Sequence, residues 1–304
     1  MNKVTLKCRL ITPMFMFGAD NVTPELRASE FKGMMRWWWR AIMARDSIEV
    51  LREEEGEIFG GVVKVREDDR IKEKHIKSKL KILIDSKLEP SDVIEYQPLP
   101  HHKAKSCLVD GNSECRKAFR LKAIKQGKEI DILVSYPDKY KTEVESLIYL
   151  TFVLGGFGKR SRRGFGSFEI ISPSFNIDLG TILNKLKDIN SAFELGSSSI
   201  DPSIKAIKNR GKGGDYPWIR EIIISGKKFS SSDDVLKAIG RASHKNRNPS
   251  LGSGNPRMAS PIYVSVVKMN DGLYPIITIL NNYFPKKYPK CDLSIQKNFV
   301  EDLL

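Results

Sequence analysis

The order in which hydropathy periods follow one another along residues 1–172 is the strongest constraint on this chain. Residues 3–11 alternate, with Val4, Leu6, Cys8 and Leu10 on one face, the period-two pattern of a half-buried strand. From 25 to 45 the period becomes 3.6. Phe31, Met34, Met35, Trp38 and Ile42 share a face, and Thr23-Pro24 supply a cap and first-turn proline. Strand patterns occupy 57–66, 80–85, 119–124 and 130–136, a helix is expected over 140–154, and a last strand over 167–171. Strand, helix, strands, helix, strand is the split βαβ or ferredoxin-like order, which predicts an antiparallel sheet with two helices on one face.

The remaining residues show helices at 179–190 and 233–241 and strands at 218–225, 262–268 and 273–280. Between them lie loops rich in Gly, Ser and Lys (196–214) and in Gly, Ser, Asn and Pro (246–256). This pattern reads as a second, worn copy of the first. The expected fold class is therefore α+β: two ferredoxin-like (RRM-like) βαββαβ domains with antiparallel sheets and inserted loops, over 1–172 and 173–304. A length of 304 residues suits two domains of about 150 each. The first domain carries a Gly-rich loop at 155–166 and an inserted flap at about 90–118, rich in Pro, His, Lys and Cys.

Charge speaks about partners. Fifty-one Lys and Arg against 37 Asp and Glu leave +14, which fits a polyanion, most commonly nucleic acid; a lysine-rich solvated surface is the plain alternative. Cys8, Cys107, Cys115 and Cys291 are too scattered for a disulfide framework, so a reducing cytoplasm is expected. The longest apolar run, 147–157, is about half the ~20 residues of a spanning helix. The opening MNKVTLKCRLITPMF lacks the uninterrupted apolar core of a signal peptide, so no membrane partner is expected.

Two basic elements stand out. Lys32, Arg36 and Arg40 are spaced i, i+4, i+8 on the side of the helix opposite its apolar face, a row that matches phosphates along a strand. Arginine favours bidentate phosphate contact and stacking, which argues for binding over mere solvation. Gly33 beside Lys32 costs about 1 kcal/mol of helix propensity, a cost that close approach of an RNA backbone would explain. Of the Trp37-Trp38-Trp39 triplet, Trp38 is expected in the core. Trp39 lies beside the basic face, where packing is the expected role and base stacking the alternative. The second element, GGFGKRSRRGFG at 155–166, combines five glycines with Lys159, Arg160, Arg162 and Arg163 and holds no acid. Glycines let backbone amides approach an anion while the arginines supply charge. Neither a G-x-G-x-x-G nor a Walker loop can be spelled from it, and Ser167 breaks the RNA-recognition-motif strand signature begun by Arg163-Gly164-Phe165-Gly166.

TPMFMFGADN…ELRASEFKGMMRWWWRA, GEIFG and GGFGKRSRRGFGSF together resemble the RAMP superfamily. The closer resemblance is to the first subunit of the type III-B CRISPR RNA-guided effector, the Cmr complex, and Arg257-Met258-Ala259-Ser260-Pro261 resembles a further motif of that subunit. The resemblance implies two ferredoxin-like folds and a place where the guide's 3′ region pairs with target RNA. It implies binding of RNA without cutting it, with guide RNA, target RNA and other Cmr subunits as partners. Matched residue by residue, it assigns RNA contact to Arg27, Lys32, Arg36 and Arg40 and to the loop through Gly155, Gly156, Gly158, Lys159, Arg160, Arg162, Arg163 and Gly164. Arg257 and Ser260 match in the second domain.

No catalytic residue, metal or cofactor is expected. The histidines are His75, His101, His102 and His244, and none is followed by Asp. Gly213-Gly214-Asp215 begins like a cyclase turn, but Tyr216 replaces the second metal-binding aspartate. His101, His102, Cys107 and Cys115 suit zinc by type but not by spacing, so a polar flap is expected. Asp20 is read as a loop-shaping or capping residue, not as an aid to metal-dependent cleavage. Two other readings remain open at this level: a RAMP endoribonuclease that processes repeat RNA by metal-free acid/base catalysis, and a structural protein whose cations meet acidic partner faces.

Overall fold

The structure is a computed structural model that describes residues 1–67, 70–101, 119–281 and 291–304. The first half contains β1 (Asn2–Leu10), α1 (Ala28–Met43), α2 (Ile48–Phe59), β2 (Lys81–Ile84), β3 (Glu129–Tyr136), α3 (Lys141–Leu154) and β4 (Phe168–Ser172). The second contains α4 (Leu179–Lys187), β5 (Phe193–Ser197), β6 (Lys205–Asn209), β7 (Ile219–Ile224), α5 (Ser232–Lys245), β8 (Ile262–Met269), β9 (Gly272–Leu280) and α6 (Leu293–Glu301). Small hairpins pair Gly61–Glu67 with Arg70–Ile76, Val93–Tyr96 with Leu121–Ile124, and Ser253–Gly254 with Arg257–Met258.

The first sheet runs β2-β3-β1-β4 with every neighbour antiparallel. Its register sets Leu6 opposite Ile132 and Cys8 opposite Ile130, all buried, so one apolar face meets the helices. The chain order strand, helix, strand, strand, helix, strand is the one read from periodicity, with α2 and two of the hairpins as additions. The second sheet runs β8-β9-β7-β6-β5, also antiparallel. Here the expected second copy departs from the first. Three strands precede the helix α5, and β6 occupies the place beside β7 that a closing strand would take.

α3 joins the halves. Ten of its 14 residues are buried, more than one apolar stripe provides, because it packs on α1, α4 and β4 and also on β8 and β9. Ser265 Oγ donates to the Val153 carbonyl at 2.7 Å, and Ser167 Oγ accepts from the Val266 amide at 3.0 Å. The loop between α3 and β4 is thereby held against the second sheet.

Local departures have local causes. α1 starts at Ala28 because residues 16–25 close their own loop: the Gly18 amide donates to Thr23 at 2.9 Å and the Glu25 amide to Met16 at 3.1 Å. α2 replaces the start of the strand expected at 57–66. Ser47 caps it by accepting from the Val50 amide, and Leu51, Glu55, Ile58 and Phe59 form its buried face. That buried face takes Glu55 from the acidic run at 53–55. Residues 93–96, expected in the flap, pair as a strand. The loop expected at 196–214 contains β6 and the last two residues of β5. His102, Cys107, Cys115 and most of the flap lie outside the described residues.

Candidate nucleic-acid interface

The loop at 155–166 packs as a compact turn and not as an open amide cradle. The amides of Phe157, Lys159, Arg163 and Gly164 donate to the carbonyls of Gly166, Phe15, Arg160 and Val264 at 2.8–3.0 Å. Buried Tyr263 accepts from the Gly156 amide at 3.1 Å and donates to the Gly156 carbonyl at 3.0 Å. Gly155, Gly156 and Gly164 are buried. Three positions require glycine outright, among them Gly166, with φ +67 and the Phe157 carbonyl where a Cβ would stand. Gly158 has φ +80 and a Cβ there would strike the Phe15 carbonyl; Gly164 has φ +81 and faces Ile239, Leu236 and Val266. These glycines, expected at an anion, serve close packing.

Arg163 also departs from the expected RNA contact. Its Nη2 donates to Leu251 O at 2.9 Å, its Nη1 to Ile262 O at 3.2 Å and Arg162 O at 3.0 Å, and its Nε to Ser243 Oγ at 3.3 Å. The guanidinium lies 5.1 Å from the Phe299 ring centre. Burial, with Arg160 and Arg162 nearby, pushes its pKa down to about 10. It is a clasp between the loop and the second half.

The other loop cations surround a cleft of about 820 Å³ lined also by Phe15, Met16, Phe17, Arg27, Glu30, Arg257 and Met258. Lys159 Nζ sits 4.5 Å from the Phe17 ring centre, and the Arg160 guanidinium 6.0 Å from that of Phe165. Arg162 lies 5.1 Å from Trp37 and 5.8 Å from Tyr263, and its Nη1 donates to the Ser260 carbonyl. Burial lowers its pKa. Arg27 enters from the start of α1, where Nη1 donates to Phe17 O at 3.4 Å. The result is an apolar floor under a cationic rim, with Glu30 as the one acidic lining residue among the described residues.

The row on α1 does not join this rim. Arg36 Nε and Arg40 Nη1 both donate to Glu55 Oε1 on α2, the second at 3.2 Å. Lys32 Nζ donates to Ser78 Oγ at 2.6 Å, and burial together with Arg36 lowers its pKa. Arg36 and Arg40 line a second cleft of about 450 Å³ with Trp37, Arg52, Glu55 and Tyr216. Arg27 alone of the expected α1 residues reaches the first cleft, because it stands at the helix start beside residues 15–17 while the row faces α2. Trp38 is in the core as expected. Trp39 is buried too, its Nε1 donating to Glu143 at 2.6 Å, so base stacking falls to it no longer.

The remaining candidates resolve locally. Asp20 accepts from the Val22 and Thr23 amides at 2.9 Å and from the Thr23 hydroxyl at 2.5 Å, which holds its carboxyl at about 2. It shapes the loop. The Gly214 amide donates to Arg45 O at 2.9 Å, which docks the 213–215 turn behind α1. Among the described residues, no three His, Cys, Asp or Glu side chains cluster as a metal set.

The family model of the RAMP superfamily matches residues 7–169, more than half of the chain. The CRISPR system Cmr subunit Cmr1-2 of Pyrococcus furiosus is 33% identical over 169 residues, which cover 53% of this chain and 90% of that protein. This chain belongs to the RAMP superfamily, in its Cmr1 branch. Subunit Cmr1-1 of the same organism is 26% identical over 163 residues, 52% of this chain and 44% of that protein. A likeness of fold to solved structures extends through the second half as well. The crystal structure of apo Cmr1 from Pyrococcus furiosus superposes with TM-score 0.59 at 16% identity, covering 100% of this chain and 97% of the other. A chain of the type III-B Cmr-beta complex bound to cognate target RNA superposes with TM-score 0.55 at 13% identity, covering 99% of each.

Several lining residues of this RAMP chain escaped the sequence reading. Trp37, which touches Arg162, looked like one of three similar tryptophans. Glu55, in the acidic run at 53–55, carried no assigned role. Phe15 and Phe17 fell in a loop, although their i, i+2 spacing signals extended backbone with both rings on one side.

Proposed function

We propose that this chain is a non-catalytic RNA-binding subunit of a type III-B CRISPR (Cmr) effector in the cytoplasm. It contacts guide and target RNA near the guide 3′ end, while other subunits cut the target. The observation that carries this reading is the first cleft: Arg27, Lys159, Arg160, Arg162 and Arg257 meet around an apolar floor with one carboxylate, Glu30. Such a rim holds phosphates by charge, and sequence selection is left to base pairing between the RNAs. The named relatives support the assembly, since one is a Cmr subunit and one solved neighbour belongs to a complex bound to target RNA. We further read residues 1–172 and 173–304 as two domains, the first ferredoxin-like by its strand order. The cleft takes residues from both and lies at their junction.

Salt-dependent retention of single-stranded RNA by the purified chain tests the reading. Five phosphate contacts give a log–log slope of up to about −3.5, at ~0.7 per phosphate of a single strand. Arg160→Ala lowers its magnitude by about 0.7. A slope near zero overturns the proposal. Incubation with repeat RNA in EDTA tests the endoribonuclease alternative: the RNA is expected to stay intact, and specific cleavage would make the chain an enzyme.

A further inference from the structure

The second cleft differs in kind from the first. Three arginines line it, Arg36, Arg40 and Arg52, against one carboxylate, Glu55, so an excess of two positive charges remains. Glu55 is 3% exposed, whereas Arg36 and Arg40 each stay 39% exposed. One buried oxygen, Oε1, takes a bond from each guanidinium, which orients the pair and leaves other N–H groups of both without a bond to Glu55. Trp37, Tyr216 and Pro217 line the same cleft, and the Tyr216 hydroxyl is anchored on Arg45 O at 3.0 Å. Cations and aromatic side chains around one cleft of about 450 Å³ suit a phosphate joined to a planar ring.

The two clefts are connected. Trp37 lines the second and lies 5.1 Å from Arg162, which lines the first. The Arg162–Trp37 contact thus joins the linings of the two clefts. We propose that the second cleft is a nucleotide subsite, in which one unpaired nucleotide of the bound strand rests its base on Trp37 and Tyr216 and its phosphate on Arg36 and Arg40. The inference rests on the RNA-binding reading of the first cleft and extends it from backbone contact to base contact.

The test is a scan of an oligoribonucleotide with a single abasic nucleotide moved along it, measured by filter retention on the full chain. One position is expected to weaken binding by roughly five- to 150-fold, the range for a lost base–aromatic stack. Val62 is 53% exposed at the cleft wall, so Val62→Trp fills the cleft with little consequence for folding. In Val62→Trp, and in Tyr216→Leu, the abasic penalty at that position is expected to vanish, while Arg160→Glu in the first cleft weakens every oligonucleotide alike. Tight, salt-dependent retention with a flat abasic scan, or a penalty unchanged in both variants, overturns the subsite and leaves the first cleft standing. Wild-type protein that retains no RNA overturns both. Adenosine monophosphate that quenches tryptophan emission in wild type but not in Val62→Trp, without affecting the abasic penalty, assigns the cleft to a free nucleotide and overturns the strand reading.

Discussion

Arg160 and Arg163 lie three residues apart in one basic loop, yet the structure gives them opposite tasks, and alanine at each should separate binding from stability. Arg163→Ala removes donors from Leu251 O and Ile262 O, both on buried residues, together with the contact to Phe299. Two charge-assisted bonds at about 1.5–2 kcal/mol each and a ring contact of about 1 kcal/mol sum to roughly 4–5 kcal/mol. Relief of a desolvated charge returns part of this, so a net loss of about 3 kcal/mol is expected. The Arg162 carbonyl suffers less, because the Val264 amide also donates to it at 3.3 Å. For a chain of 304 residues, about 3 kcal/mol lowers Tm by roughly 5 °C. Arg160→Ala touches an exposed side chain and should change stability by less than about 0.5 kcal/mol. Urea midpoints and thermal melts measure the first quantity, and RNA retention well below the melting range measures the second. Arg163→Ala should unfold early and still bind RNA when folded, whereas Arg160→Ala should melt normally and bind less tightly. An Arg163→Ala protein with a wild-type midpoint and lost RNA retention would refute the assignment of this side chain to the fold.

Gly33→Ala places a Cβ where nothing lies within 4 Å, so it should stabilise the isolated chain by up to about 1 kcal/mol; a fall in urea midpoint would contradict the open geometry at α1. The same substitution leaves RNA affinity unchanged if the strand stays in the two clefts, and a loss in filter retention would reveal an approach to the helix backbone at Gly33. Asp20 has a depressed pKa, so its contribution to loop closure is complete above the ordinary value of 3.8 and disappears as pH falls through about 2. Amide exchange at Val22 and Thr23 should accelerate over that window in wild type, and Asp20→Asn should abolish the pH step. Glu55→Gln leaves Arg36 and Arg40 facing each other without an intervening charge. Because both guanidiniums reach solvent, the loss should be roughly 1–3 kcal/mol, less than for a fully buried pair, and 1 M salt should reduce it.

What the sequence determined by itself is local or periodic. Alternation at Val4, Leu6, Cys8 and Leu10 and the stripe through Phe31, Met35, Trp38 and Ile42 specify a strand and a helix, because burial on one face imposes a period on one stretch of chain. The order of such periods in residues 1–172 specifies the first sheet, and the motifs at 13–40 and 155–168 point to the RAMP superfamily. Where two forces compete within a few residues, that legibility ends. The acidic run at 53–55 belongs to a helix that buries Glu55, and the polar stretch at 196–214 includes β6, which pairs with β5 on one side and β7 on the other. Tertiary structure alone decided which cations share a site. Helical spacing places Lys32, Arg36 and Arg40 in a row, but only the packing of α2 shows that the row faces Glu55 and not the loop. Among four neighbouring loop cations, only the approach of the second sheet reveals that Arg163 is a clasp while Lys159, Arg160 and Arg162 line a cleft. A side chain's charge is written in the chain, but its partner lies 15 residues away for Arg40 and 80 or more for Arg163, and distance in space is set by the whole fold.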